Sequence, residues 1–159
     1  MNTTGGGNMN ICIMSRREIA RFAMQERSES YGVISISDVG APPPVIIRDG
    51  NGVDAVLSLV FDDVEKGEAN CITKQDAEKI VSFVKSLDKS IANLIVQCEL
   101  GQSRSAGVAA AISVMLNSDD KWVMEDGRYC INPTCYWEIL AAIDSPTWKK
   151  IFGKLIPGK

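Results

Sequence analysis

The chain of 159 residues contains no histidine. That removes the commonest proton shuttle and the commonest metal ligand, and leaves acid–base work to carboxylates, thiols, lysines or tyrosines. Cysteine is present but unpatterned. The five residues Cys12, Cys71, Cys98, Cys130 and Cys135 form no C-x-x-C pair and have no histidine company, so neither a zinc site nor a disulfide framework is indicated. Reduced thiols in a cytoplasmic setting fit this usage, and no metal or cofactor is expected. Positive charge is also scarce: 17 Lys and Arg against 20 Asp and Glu leave a net charge of −3. Without a broad basic field a nucleic-acid partner is disfavoured, while a small anionic substrate is not. Long apolar runs are missing as well. The least polar stretch, residues 106–116, is interrupted by Ser113 and falls short of the roughly 18 residues that span a bilayer, so no membrane association is expected. No basic residue precedes the apolar patch at 11–14, as a secretory signal would require, and residues 1–8 read as a flexible tail.

What is present alternates between strand and helix patterns. With 45% apolar residues, 9–159 suffices for one domain with a real core. Residues 9–14 form a short apolar run ending at Ser15-Arg-Arg-Glu18, a capping box that predicts a helix to about Arg27. Residues 31–37 alternate in a β-branched pattern before a proline-rich loop, 38–44. Residues 45–47 suggest an edge strand before the Asp49-Gly-Asn-Gly52 turn, and 54–61 another strand, closed by Asp62 and Asp63. A helix is expected from Thr73 to about Leu87, a strand buried on both faces over 92–96, and an apolar helix over 103–117. Asn132-Pro133 announces a helix over 133–143, and Ser145-Pro146 a short final one. The expected class is therefore α/β: a central, mostly parallel sheet of about four to five strands flanked by helices, with ligands bound beyond the carboxyl ends of the strands.

Chemistry concentrates in Cys98-Glu-Leu-Gly-Gln-Ser-Arg104-Ser105, which links the doubly buried strand to the apolar helix. A short loop at a helix N-terminus turns the amides of Glu99, Leu100, Gly101, Gln102 and Ser103 toward a common anion. Those dipoles and the guanidinium of Arg104 favour a nucleophilic thiolate at Cys98. Arg104 offers a planar fork for two phosphoryl oxygens, a geometry lysine lacks. Gly101 permits a close approach of the backbone, and the Ser105 hydroxyl can stabilise the departing sulfur. An accidental C-x5-R is about a one-in-five event here, but adding the glycine and the following serine reduces it to roughly a few in a thousand.

Residues 94–111 (LIVQCELGQSRSAGVAAA) resemble the signature of the protein tyrosine phosphatase superfamily. The position of the motif about two thirds along the chain resembles the dual-specificity branch, and the pattern from Ser15 through Phe61-Asp-Asp63 to Asn132-Pro133 resembles compact bacterial and phage-type members. The resemblance covers most of the chain. It implies a cysteine-phosphatase fold and hydrolysis of phosphomonoesters through a phosphocysteine on Cys98, with Arg104 holding the phosphoryl group. It also implies a general acid some thirty residues upstream: Asp62 and Asp63 both fit, and Asp63 is preferred because the acid follows the strand end by about two positions. The family usually places histidine immediately before the cysteine, where this chain has Gln97, with Glu99 directly after. A phosphate- or phosphopeptide-binding module without turnover is therefore the alternative reading.

The expected partner is a phosphorylated protein or a small phosphomonoester, with oligomeric state open. Sulfur transfer and arsenate reduction fit the loop's position less well. Cys71 as a resolving thiol, a metal between Cys130 and Cys135, and a substrate rim at Arg128 and Tyr129 are weaker candidates than their plain structural roles. Trp137, Trp148 and Phe152 read as packing residues, and Lys149, Lys150 and Lys154 as a solvated face.

Overall fold

Short runs of β-branched and aliphatic residues become the strands of a single sheet in the computed structural model, which describes residues 9–117 and 119–144. The strands are β1 (Asn10–Met14), β2 (Tyr31–Ser37), β3 (Val53–Val60) and β4 (Asn93–Gln97), in the spatial order β1-β4-β2-β3. All three pairings are parallel. The two central strands, β4 and β2, are buried along their whole length; β4 is a continuous apolar run over 94–96, whereas β2 carries Ser35 and Ser37 into the interior.

Alternation along each strand sorts the core into two layers. Ile11, Ile34, Ile36, Leu94 and Val96 face the larger layer, which is covered by α2 (Lys74–Ser86), α3 (Arg104–Asn117) and α5 (Pro133–Ile143). Val33 and Ile95 face a smaller layer closed by Ile19 and Phe22 of α1 (Arg16–Ala23). α3 is apolar nearly all round because it lies between the sheet and α5, with Ala106, Ala109, Ala110 and Ile112 fully buried. A short α4 (Lys121–Met124) follows it, held by the Trp122 indole N–H donating to Ser113 Oγ at 2.9 Å and by Tyr136 Oη donating to Asp120 at 2.7 Å.

The capping box at Ser15 and Glu18 forms as expected, but α1 stops at Ala23 rather than near Arg27. Arg27 folds back instead: its guanidinium lies 3.4 Å from the Phe22 ring centroid and donates to the Phe22 carbonyl at 2.6 Å, which ends the helix. Residues 45–47 pair with no strand, and only Ile46 is buried, inserted into the smaller layer. α4 was not anticipated; its four residues are too few to show a period. The tail at 1–8 and the final helix after Ser145 lie outside the described residues.

Candidate active site

The carboxyl ends of three adjacent parallel strands converge on one side chain. Cys98 follows β4, Asp38 follows β2 and Phe61 follows β3. Arg104, the first residue of α3, reaches into their midst: Nη2 pairs with Asp38 Oδ1 at 2.6 Å and Nη1 donates to the Phe61 carbonyl at 2.6 Å. The Arg104 residue is only 4% exposed, and its Nε is buried with no protein partner. A buried cationic N–H left open is costly unless a ligand completes it.

Cys98 is buried, and its Sγ lies 3.0 Å from Ser105 Oγ. The loop that starts there is braced on both flanks. On one side the Cys98 amide donates to the Met14 carbonyl (3.3 Å) and the Arg16 amide to the Glu99 carbonyl (3.0 Å). On the other side the Cys130 amide donates to Gln102 and the Asn132 amide to Ser103, each at 3.0 Å. The carbonyls of Glu99, Gln102 and Ser103 are thus spent on the scaffold, while the amides of residues 99–103 meet no acceptor among the described residues. Gly101 has φ +67°, and a Cβ there would lie 2.6 Å from the Ser15 nitrogen, so both conformation and space demand glycine. Gly107 is needed for a different reason: a Cβ would lie 2.6 Å from the Asn132 carbonyl oxygen, so its bare face lets the segment 130–132 approach α3.

The two upstream aspartates have separate surroundings. Asp62 accepts from the Val39 amide at 2.9 Å and from Asn70 Nδ2 at 3.2 Å, which ties the loops after β2 and β3 together. Asp63 turns to the cradle. Its Oδ1 accepts from Ser103 Oγ at 2.9 Å and from Asn132 Nδ2 at 2.8 Å, leaving Oδ2 open among the described residues. Asn132 also caps α5, its Oδ1 accepting from the Cys135 amide at 3.1 Å. The helix-cap signal was visible in the sequence; the second role, orienting Asp63, was not.

Gln97 is buried and fully engaged. Its Oε1 accepts from Ser35 Oγ at 2.6 Å, across the register pair of β2 and β4, and its Nε2 donates to the Cys98 carbonyl at 2.9 Å. A neutral amide therefore orients the first peptide of the loop. Leu100 stands on the rim, 70% exposed.

The structure brings Cys98, Arg104, Ser105, Ser103 and Asp63 together, with Cys130 bonded through its amide to the loop at Gln102 and Cys135 close enough to feel the Asp63 charge. Burial, followed by the Asp63 charge, pushes the Cys135 thiol well above its ordinary range, and burial pushes Cys71 up as well. Among the described residues no group of three or more His, Cys, Asp or Glu side chains is placed to hold a metal ion. Arg128 is bound to Asp126 at 2.6 Å and lies over the Tyr129 ring. Trp137 is not the packing residue expected; it is 64% exposed and makes an edge contact with Tyr136. Trp148, Lys149, Lys150, Phe152 and Lys154 fall outside the described residues. No described helix is long and apolar enough to cross a membrane.

Sequence alone provides no closer comparison: no protein-family model and no curated protein matches the chain. Structure does. The crystal structure of PTPMT1 in complex with PI(5)P superposes with a TM-score of 0.56 at 16% identity, covering 94% of this chain and 96% of that one. A second PTPMT1 crystal structure (TM-score 0.49, 16% identity, 94% and 95% covered) and Tk-PTP in the active form (0.46, 15%, 94% and 92%) are similar more loosely. With an all-parallel sheet of four strands among the described residues and helices on both faces, the chain shares the α/β fold of PTPMT1 over 94% of its length.

Proposed function

We propose that this chain hydrolyses phosphomonoesters through a phosphocysteine on Cys98, with a phosphotyrosine or dual-specificity protein substrate as the expected class. The observation that carries the reading is the pairing at one loop of a buried thiol, 3.0 Å from a hydroxyl, with a buried arginine whose Nε lacks a partner. The fold shared with PTPMT1, which has a crystal structure in complex with PI(5)P, supports a phosphomonoester as the substrate class.

In this reading the amides of residues 99–103 and Arg104 bind the phosphoryl group and hold phosphorus in line with Cys98 Sγ. The thiolate attacks, the ester P–O bond breaks, and Asp63 gives a proton from Oδ2 to the departing oxygen. Two donors on Oδ1 keep that carboxyl aimed at the cradle. Water then attacks the phosphocysteine, passing its proton to Asp63, while Ser105 Oγ donates to the sulfur as the P–S bond breaks.

The second reading, an anion-binding module without turnover, rests on the uncharged Gln97 before the nucleophile. Turnover of p-nitrophenyl phosphate from pH 5 to 8 separates the two. Wild type should exceed Cys98→Ser at every pH, and Arg104→Ala should lower kcat by about 10²–10³-fold. If wild type is no faster than Cys98→Ser while inorganic phosphate still binds, the module reading stands and the enzyme reading falls.

A further inference from the structure

We propose that Asp38 is the positioning residue for Arg104, a carboxylate supplied by β2 that holds the guanidinium in its phosphate-binding orientation before any substrate arrives. This rests on the phosphatase reading of the same site.

Arg104 brings a full positive charge to a nearly buried position, with its side chain 5% exposed. A cation so enclosed needs a counter-charge or it is strongly destabilising. Asp38 supplies it at 2.6 Å, from a side chain 44% exposed at the mouth. The direction matters as much as the charge. Nη1 is committed to the Phe61 carbonyl and Nη2 to Asp38, so the guanidinium plane is pinned at two nitrogens, while Nε has no partner among the described residues. Without Asp38 the fork is fixed at one end and can swing about the Nη1 contact.

The placement of Asp38 is built into the sheet. β2 lies between β4, which carries Cys98, and β3, which carries Phe61, so the first residue beyond β2 falls between nucleophile and carbonyl. The loop bearing it is braced: the Val39 amide donates to Asp62, the Ala41 amide to the Asp38 carbonyl at 3.0 Å, and Arg16 Nη2 to the Pro42 carbonyl at 2.7 Å. Asp62 therefore acts at second hand, holding the loop that holds Asp38.

The experiment compares Asp38→Ala with Asp38→Asn in two measurements. The asparagine oxygen still accepts from Nη2, whereas alanine removes the contact. For p-nitrophenyl phosphate, kcat/KM should fall by about 10²-fold in Asp38→Ala, with kcat carrying most of the loss, and Asp38→Asn should recover most of it. In the Cys98→Ser background, calorimetric titration with inorganic phosphate should show weaker binding for Asp38→Ala than for Cys98→Ser alone. This second measurement reads Arg104 geometry without requiring turnover, so it separates failure of this proposal from failure of the phosphatase reading. Equal kcat/KM in wild type and Asp38→Ala would overturn the proposal. So would tighter phosphate binding in Asp38→Ala, which would make Asp38 a competitor for Arg104. If Asp38→Ala does not fold, Asp38→Asn decides: phosphate affinity near that of Cys98→Ser supports positioning by the contact, and tighter binding refutes it.

Discussion

The junction of β1 with α1 and that of β4 with α3 lie side by side, both strand-to-helix turns at the carboxyl end of a parallel sheet, and they treat the same unsatisfied amides in opposite ways. At the first, a single residue separates strand and helix: Ser15 Oγ accepts from the Glu18 amide at 3.1 Å and Glu18 Oε2 from the Ser15 amide at 3.2 Å. The end is closed by its own side chains. At the second, residues 98–103 intervene, the carbonyls of Glu99, Gln102 and Ser103 go to neighbouring segments, and the amides of 99–103 have no acceptor among the described residues. A helix N-terminus becomes an anion cradle when its cap is withheld and its loop is braced from outside. The closed junction is part of that brace, since Gly101 packs directly on the Ser15 backbone.

The largest expected effect breaks the input to the open junction. Asp63→Asn should lower kcat for p-nitrophenyl phosphate by about 10²–10⁴-fold, and Asp62→Asn should cost far less, because among the described residues Asp62 is bonded to the Val39 amide and Asn70 rather than to the loop 98–104. Equal losses would reverse the division of labour between the two carboxylates.

Next comes the contact between the junctions. Gly101→Ala places a Cβ against backbone atoms of Met14 and Ser15 at a left-handed φ, so urea denaturation should show a loss of about 1–3 kcal/mol, together with much reduced turnover.

A smaller pair of effects should cross over. Ser15→Ala removes a cap and should cost about 1 kcal/mol of stability with kcat nearly unchanged. Ser105→Ala should slow breakdown of the phosphocysteine, seen in stopped flow as a burst of p-nitrophenol, with a smaller change in stability. A kcat loss in Ser15→Ala as large as that in Ser105→Ala would show that the two junctions are not separable.

The smallest effect concerns thiols. Burial and the Asp63 charge hold Cys135 above its ordinary titration range, so little of it is thiolate at pH 8. Iodoacetamide followed by peptide mass mapping should label exposed Cys130 readily and Cys135 last. Early labelling of Cys135 would mean that α5 opens in solution.

Much of this architecture is local and was legible before the structure. The capping boxes at Ser15 and Thr73, the Asn132-Pro133 helix start and the doubly apolar run at β4 each depend on neighbours within a few residues. The loop from Cys98 to Arg104 was readable for the same reason: cysteine, glycine, arginine and serine sit within eight residues. The end of α1 was misjudged because Arg27 stacks on Phe22, a contact that helix periodicity does not encode. The region 45–47 looked like a strand because its side chains are β-branched, but only Ile46 found a core to enter.

The site's finer assignments lie at the other extreme. Ser35 meets Gln97 across 62 residues, Arg104 meets the Phe61 carbonyl across 43, and Asn132 meets Asp63 across 69. Asp38 is one carboxylate among 20 acidic residues until the sheet order places β2 between β3 and β4. By itself the sequence determined the alternating elements and the loop that joins Cys98 to Arg104, because period, caps and loop chemistry act over a few residues. Only the tertiary structure decided which carboxylate faces the cradle and which holds the arginine, because strand order and register are set by burial of the whole sheet between its helices.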